Sequence, residues 1–172
     1  MTGELAPAAF LALRSEIRDL WPEASRQRID EILPLHAGRD GFRAVIERGA
    51  AGALAGFAYG YRGGPGQWWH DLVAAALGPA EAERWLPPGH FEFVELHVRS
   101  DLWGRGIGGR LHDALLASEP GPSVLSTQQD NERALGLYER RGWRVIVPEI
   151  DFGVGYPPFC VLGKDRAAGR EP

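Results

Sequence analysis

Hydrophobic and polar positions alternate most regularly along residues 91–98, FEFVELHV. The period of two predicts a β-strand that carries Phe91, Phe93, Glu95 and His97 on one face and Glu92, Val94, Leu96 and Val98 on the other. Its aromatic and β-branched content is typical of a well-covered strand. Glu95 and His97 are therefore expected to lie side by side.

Helical spacing of apolar residues predicts the remaining helices. They are expected at 8–21, at 25–33 with Ser25 as its N-cap, at 68–77 with a further turn or two in 80–86, from Ile107 onward, and after Asn131. Proline is the expected terminator of the first two, at Pro22 and Pro34, and Gly142 is the expected left-handed cap of the last.

Extended segments complete the predicted sheet. They are a hairpin of 42–48 and 53–61, a strand at 124–127, and a closing pair at 143–147 and 159–162. The strand at 124–127 follows the strand 91–98 through a helix, so these two strands should be parallel. An earlier first strand is either very short or missing.

Length and composition fit one compact domain. The chain has 172 residues, of which 44% are hydrophobic and 24% charged, and it contains no internal repeat or low-complexity tract. We therefore expect residues 1–172 to form a single domain, with residues 62–90 as a helical insert. The net charge of -4 argues against a broad nucleic-acid surface, although Arg99, Arg105 and Arg110 could form a local basic groove.

Cellular location is predicted from the N-terminus and the cysteine content. The first residues lack the basic and apolar regions of a secretory signal, and no window of eighteen apolar residues could span a membrane. Cys160 is the single cysteine and lies in an apolar run, so it is expected to be a buried free thiol in a reducing compartment. A cytoplasmic protein is the prediction.

The segment 103–109, WGRGIGG, predicts an anion site. Glycines let the backbone adopt positive φ and let a ligand approach the amides closely. The loop opens a helix, whose first N–H groups and positive dipole end point toward the same place. The expected ligand is a phosphate or a pyrophosphate.

The first fold that could contain this loop is a dinucleotide-binding unit. Gly104, Gly106 and Gly109 satisfy G-x-G-x-x-G, and Asp130 follows about twenty residues later. In such a unit, however, the strand leads directly into the first glycine, and several more strand–helix repeats follow. Here Val98 and Gly104 are six residues apart and only 63 residues follow Gly109, so this alternative is disfavoured.

The same residues resemble motif A of the GCN5-related N-acetyltransferases, Gln/Arg-x-x-Gly-x-Gly/Ala after a strand and a short spacer. The matching segment is 103–108, WGRGIG, preceded by Leu96, His97 and Val98, and Trp103 replaces the family's Gln or Arg. The family's B region also has a counterpart in 131–143, NERALGLYERRGW, about 25 residues on. The resemblance covers roughly residues 42–164.

The resemblance implies an α/β fold, with a mixed, mostly antiparallel sheet and helices on both faces. It also implies that acetyl-CoA is the co-substrate. The residues expected to bind it are Leu96, His97, Val98, Trp103, Gly104, Arg105, Gly106, Ile107, Gly108, Gly109 and Asn131. Backbone groups of 96–98 would meet the pantetheine arm, and the amides of His97 and Val98 are candidates for polarising the thioester carbonyl.

The acceptor amine must lose its proton before it can attack. Only about one lysine-like amine in 2,500 is neutral at pH 7. Glu95 is the first candidate for the general base, directly or through water, because it shares a face with His97; Glu92 ranks second. The match to the B region makes Tyr138 the candidate general acid that protonates the leaving thiolate.

The acceptor side is predicted from the insert. Trp68, Trp69 and His70 on its first helix are the expected substrate contacts, and an enclosed site would suit a small-molecule amine. The alternatives are a protein or peptide N-acetyltransferase and a non-catalytic acyl-CoA sensor. The histidines and cysteine show no ligand spacing, so no metal is expected, nor is a nucleic-acid or membrane partner. Exposed edge strands of this fold also allow a homodimer.

Overall fold

The computed structural model describes residues 2–21, 26, 28–50, 52–153, 155 and 157–165. Its helices are α1 Pro7–Ala12, α2 Arg14–Leu20, α3 Ile29–Ala37, α4 Trp68–Leu77, α5 Pro79–Trp85, α6 Ile107–Leu116 and α7 Glu132–Glu139. Its strands are β1 Thr2–Leu5, β2 Arg43–Arg48, β3 Leu54–Arg62, β4 Phe91–Val98, β5 Ser123–Gln128, β6 Arg144–Ile150 and β7 Phe159–Lys164.

The strands form one mixed sheet in the order β1-β2-β3-β4-β5-β7-β6. β1 pairs with β2, β2 with β3, and β7 with both β5 and β6, all antiparallel. β4 and β5 are parallel, as the helix between them predicts. The α/β fold with a mostly antiparallel sheet is therefore confirmed, and the open question about a first strand is answered by the four-residue β1.

Contacts divide the chain into two compact units. The first unit comprises Met1–Tyr61 with Val94–Ser118, and the second comprises Arg62–Phe93 with Glu119–Pro172.

The first unit has helices on both faces of its strands. Phe10, Ile17 and Leu33 from α1, α2 and α3 are fully buried in one cluster with Phe57 and Tyr59 of β3. A Cβ added to Gly56, the neighbour of Phe57, would instead meet Leu111 of α6 at 3.0 Å. Since neighbouring strand residues point to opposite faces, α6 packs on the face that the other three helices leave free.

The second unit packs the predicted helices of 62–90 against its strands. Val73 of α4 and Trp85 of α5 are buried with Val124 of β5 and Val161 of β7. Cys160 is a buried free thiol, as predicted, and burial raises its pKa. This unit therefore has its own apolar core.

The first two predicted helices differ from the prediction in their bounds, and α3 begins at Ile29 rather than near residue 25. The predicted helix at 8–21 is two helices with a break at Leu13, whose backbone leaves helical geometry. α3 does not end at Pro34 but continues to Ala37. Proline removes only one backbone hydrogen bond here, and burial of Leu33 and Ala37 favours the continued helix. Pro22 and Ser25 lie outside the described residues.

Candidate functional site

The glycine-rich segment 103–109 forms a tight loop between β4 and α6. A 3-10 turn at Ser100–Leu102 follows the strand, and Gly104 and Gly106 have φ angles of 78° and 73°. Residues that carry a side chain rarely adopt this backbone conformation, so both positions require glycine. α6 begins directly afterwards at Ile107, which leaves its first amides without partners inside the helix. The loop thus has the geometry of an anion site.

Arg110 connects this loop to strand β2. Its guanidinium donates hydrogen bonds to the carboxylate of Glu47 at 2.6 and 3.1 Å and to the carbonyl of Arg105 at 3.1 Å. Glu47 is buried, and Arg110 holds the pKa of its carboxyl below the usual value. Thr2 of β1 also donates to Glu47. These bonds fix a backbone carbonyl of the loop.

The expected basic groove is reduced by internal ion pairs. Arg99 binds Asp101 at 2.6 and 3.0 Å, and Arg110 binds Glu47. Arg105 has no ion-pair partner among the residues that the structure describes. Of the three arginines expected beside the loop, only Arg105 therefore keeps its charge available for a phosphate.

Trp103, at the position where the family pattern has Gln or Arg, turns back onto the end of β4. Its indole N–H donates to the carbonyl of Val98 at 2.8 Å, and the residue remains 51% exposed. One of the backbone groups predicted to serve a ligand is thus already bonded by the protein.

Glu95 and His97 lie side by side on β4, as the alternation predicts. The Glu95 carboxylate and Nε2 of His97 are 2.7 Å apart. The imidazole packs against two aromatic rings, with its centre 5.2 Å from those of Trp21 and Phe57. Both side chains are partly exposed, so this carboxylate–imidazole pair remains accessible.

The direction of the β4 amides separates the two candidates for a carbonyl-polarising donor. The N–H of Arg99 donates to the carbonyl of Ala55 on β3 at 3.0 Å. Amides alternate in direction along a strand, so the His97 amide should point to the same side and the Val98 amide to the other. This geometry favours Val98 as the donor that β3 leaves available.

A second polar group in the first unit lies around His36, which the sequence did not single out. Its Nδ1 is 3.0 Å from the hydroxyl of Tyr59, and its ring is 5.1 Å from that of Tyr61. Burial lowers the pKa of His36 to about 4, an effect that the charge of Glu95 opposes and that of Arg39 reinforces. Burial raises the pKa of Tyr59 well above its usual value. Both groups are therefore neutral at pH 7.

In the second unit, the caps of α7 follow the prediction. The Asn131 side chain accepts a hydrogen bond from the amide of Ala134 at 3.1 Å, as an N-cap does. At the other end Gly142 has a φ of 78°, and its amide and that of Trp143 donate to the carbonyls of Glu139 and Tyr138. These two bonds form a Schellman motif.

Tyr138 is held by aromatic contacts within the second unit. Its ring lies edge-on to Phe93 and Trp143, at centroid distances of 6.1 and 5.7 Å, and is buried. These contacts orient the phenol, while its role as an acid stays a prediction.

The three predicted acceptor contacts on α4 have different surroundings. Trp68 is 61% exposed and its ring centre lies 5.5 Å from that of Phe152. Trp69 donates its indole N–H to Ser126 at 3.0 Å, and His70 is buried beside His90 with Nδ1 3.1 Å from Asp71. Trp68 therefore offers the largest open surface of the three.

His90 and Glu92 form a buried polar pair that the sequence analysis did not identify. Their Nε2 and Oε1 atoms are 3.6 Å apart, and neither has a hydrogen-bond partner within the described structure. Nδ1 of His90 faces the Pro87 carbonyl at 3.0 Å, so it must carry a proton. Period-two spacing of the two residues was the available signal. In the described part of the chain, no three His, Cys, Asp or Glu residues are arranged to hold a metal.

Known proteins resemble this chain in sequence. Residues 9–143 match the Acetyltransferase (GNAT) family. The GCN5-like protein acetyltransferase Rv2170 of Mycobacterium tuberculosis is 36% identical over 119 residues, which are 64% of this chain and 58% of that protein. The chain thus spans less than two thirds of the length of this relative.

Solved structures share the fold. A histone acetyltransferase HPA2 and related acetyltransferase from Corynebacterium glutamicum gives a TM-score of 0.67 at 17% identity, covering 99% of this chain and 98% of that one. An aminoglycoside 6'-N-acetyltransferase complexed with coenzyme A gives 0.62 at 16% identity, covering 96% of each chain.

No helix within the described residues is long and apolar enough to cross a bilayer.

Proposed function

Because the chain belongs to the acetyltransferase (GNAT) family, we propose that it transfers the acetyl group of acetyl-CoA to a primary amine of a small molecule. The amine attacks the thioester directly, without a covalent enzyme intermediate. The observation that carries the proposal is the positive-φ loop at Gly104 and Gly106, which follows the strand bearing the Glu95–His97 pair.

The loop is proposed to bind the diphosphate of acetyl-CoA. The amides of 104–109 supply hydrogen-bond donors, Arg105 supplies a positive charge, and the Glu47–Arg110 pair holds the loop in shape. The coenzyme A complex of the aminoglycoside 6'-N-acetyltransferase supports this assignment by likeness of fold. Leu96, Val98, Ile107, Gly108 and Asn131 stay proposed contacts from the family resemblance.

Glu95 is proposed as the general base. Deprotonation of an amine with a pKa of about 10.4 costs about 4.6 kcal/mol of free energy at pH 7. A proton acceptor must therefore lie within reach of the amine. The carboxylate of Glu95, 2.7 Å from the His97 imidazole, offers such an acceptor with a neighbour that holds its orientation. Glu92 stays second, since it is buried and faces His90.

Tyr138 is proposed as the general acid. When the amine nitrogen bonds to the acetyl carbon, the carbon–sulfur bond breaks and the sulfur leaves as a thiolate. A phenol with a pKa near 10 is protonated at pH 7 and can return a proton to a thiolate of pKa about 8.5. The aromatic contacts of Phe93 and Trp143 would keep this phenol in one orientation.

A protein acceptor is the second candidate, favoured by the 36% identity to a protein acetyltransferase. The small-molecule acceptor is supported by the aminoglycoside acetyltransferase neighbour. Trp68, whose indole is exposed, stays a proposed contact together with Trp69 and His70. An amine-bearing peptide panel tested beside a small-amine panel would separate the two.

The proposal is tested by measuring thiol release from acetyl-CoA with these panels. Wild-type protein should release coenzyme A only with an accepted amine, and Glu95→Gln and Tyr138→Phe should each lower kcat by about 100-fold or more. Coenzyme A binding without transfer to any amine would support a non-catalytic sensor. Unchanged turnover in both variants would contradict the roles assigned to Glu95 and Tyr138.

The cellular setting is also part of the proposal. The free, buried Cys160 suits a reducing compartment such as the cytoplasm. β6 is the last strand in the sheet order and exposes half of Val145, which suits pairing with a second copy. Sedimentation at micromolar concentration would reveal such a homodimer.

A further inference from the structure

A row of neighbouring side chains in the first unit extends from the carboxylate of Glu95 to the guanidinium of Arg39. The Glu95–His97 pair lies at one end, where the His97 ring packs against Phe57 of β3. Tyr59 and Tyr61 follow at alternate positions of β3 and therefore share the face of Phe57. Arg39 lies at the other end, with its guanidinium carbon 5.9 Å from the centre of the Tyr61 ring.

His36 ties the row together. It contacts both tyrosines, through a 3.0 Å approach to the Tyr59 hydroxyl and a 5.1 Å ring separation from Tyr61. The charge of Glu95 raises the pKa of His36 and the charge of Arg39 lowers it, so both groups lie within electrostatic range of this imidazole. His36 itself is neutral at pH 7, which leaves Arg39 as the cation of the row.

Arg39, like Arg105, lacks a carboxylate partner within the described residues. Many arginines of this unit bind a carboxylate within the described residues: Arg14 and Arg18 bind Asp30, Arg43 binds Glu4, Arg48 binds Glu16, Arg99 binds Asp101, and Arg110 binds Glu47. Arg39 has no such partner there, and its buried Nε lacks a hydrogen bond. A partly buried guanidinium without an anion favours an external carboxylate, which it can bind through two parallel hydrogen bonds.

We propose that the acceptor is an amine that also carries a carboxylate several bonds away, as the side-chain amine of free lysine does, and that Arg39 binds this carboxylate. This inference rests on the proposed transferase function and names its substrate class. Glu95 accepts the amine proton at one end of the row, the acetyl carbon bonds to the amine nitrogen as its bond to sulfur breaks, and Arg39 neutralises the acceptor at the other end. Glu95 alone would repel such an acceptor.

Matched pairs of amines test the inference. L-lysine is compared with cadaverine, and 6-aminohexanoate with hexylamine, in thiol-release assays with acetyl-CoA. The wild-type kcat/KM for the better carboxylate-bearing amine should exceed that of its partner by about 10- to 100-fold, the effect of one lost hydrogen bond to a charged group. Arg39→Met should bring the ratio to about one, and Arg39→Lys should give an intermediate ratio.

Arg14→Gln is the matched control, because Arg14 is a half-exposed arginine of the same unit that already binds Asp30. This variant should keep the wild-type ratio, and all variants should bind coenzyme A equally in calorimetry. A wild-type ratio near one, or an Arg39→Met variant that loses activity on both members of a pair equally, would overturn the inference.

Calorimetry with the same amines, in the presence of coenzyme A, separates this inference from the transferase proposal. Carboxylate-dependent binding that disappears in Arg39→Met, without any thiol release from acetyl-CoA, would support the acceptor class and contradict the transferase. Thiol release with equal kcat/KM for both members of a pair would support the transferase and contradict the acceptor class.

Discussion

Glu47 of β2 and Arg110 of α6 are joined by two hydrogen bonds, of 2.6 and 3.1 Å, and Arg110 also holds the carbonyl of Arg105 in the glycine-rich loop. The buried carboxylate orients the guanidinium, and the guanidinium fixes the loop backbone. The shape of the loop therefore depends on a residue of another strand, which motif spacing does not reveal.

Arg110→Gln should weaken coenzyme A binding by about tenfold while leaving kcat at saturating acetyl-CoA within about twofold, because the variant loses bonds to a charged group that position the loop. Calorimetry and initial rates measure the two quantities. Arg43→Gln is the control, since Arg43 makes a similar two-bond pair with Glu4 away from the loop. Equal losses in both variants would contradict a specific role for Arg110.

The structure predicts that His36 makes stability sensitive to acid. Its pKa is about 4 when folded and near 6.5 when unfolded, because burial disfavours the imidazolium. Between these values the unfolded chain binds a proton that the folded protein does not, so its contribution is complete above pH 6.5 and is lost as pH falls toward 4. The loss amounts to about 3 kcal/mol.

Urea unfolding of wild-type protein and His36→Gln at pH 7 and pH 4 measures this effect. The variant keeps a polar partner for Tyr59 but has no group that titrates in this range. Its free energy of unfolding should fall less between the two pH values than that of the wild type. Identical losses would show that His36 is not the titrating group.

Gly63 should tolerate no side chain. A Cβ there would lie 2.2 Å from both Glu92 Oε1 and His90 Nε2, whereas a Cβ on Gly64 would meet nothing within 4 Å. Gly63→Ala should therefore lower the free energy of unfolding by about 2 to 4 kcal/mol, and Gly64→Ala by less than about 0.5 kcal/mol. Chemical denaturation of the two variants measures the difference. Equal stabilities would mean that the His90 and Glu92 side chains move aside without lowering the free energy of unfolding.

Local patterns predicted much of the fold because local energies decide those elements. β4 spans Phe91–Val98 as its alternation predicts, and α7 has Asn131 as its N-cap and Gly142 as its left-handed glycine. Pro34 shows the limit, since packing of Leu33 and Ala37 in the core outweighed the local cost of proline within α3. That packing depends on contacts distant in sequence.

The candidate site was predictable where its residues lie on one element. Glu95 and His97 meet because a strand places alternate residues on one face. The ion pairs of Arg99 and Arg110, the histidine at His36 and the guanidinium of Arg39 were not predictable in the same way. Their partners come from other elements or from turns, and no periodicity connects them.

The binding of a diphosphate by the loop 103–109 is the central claim, and calorimetric comparison of coenzyme A with pantetheine tests it most directly. Pantetheine lacks the diphosphate together with the adenosine 3'-phosphate. It should bind at least about 100-fold more weakly, because the lost groups include those that make several charge-assisted hydrogen bonds to the loop. Gly106→Ala, which places a Cβ at a φ of 73°, should remove most of this difference. Equal affinity for the two ligands in wild-type protein would contradict the account.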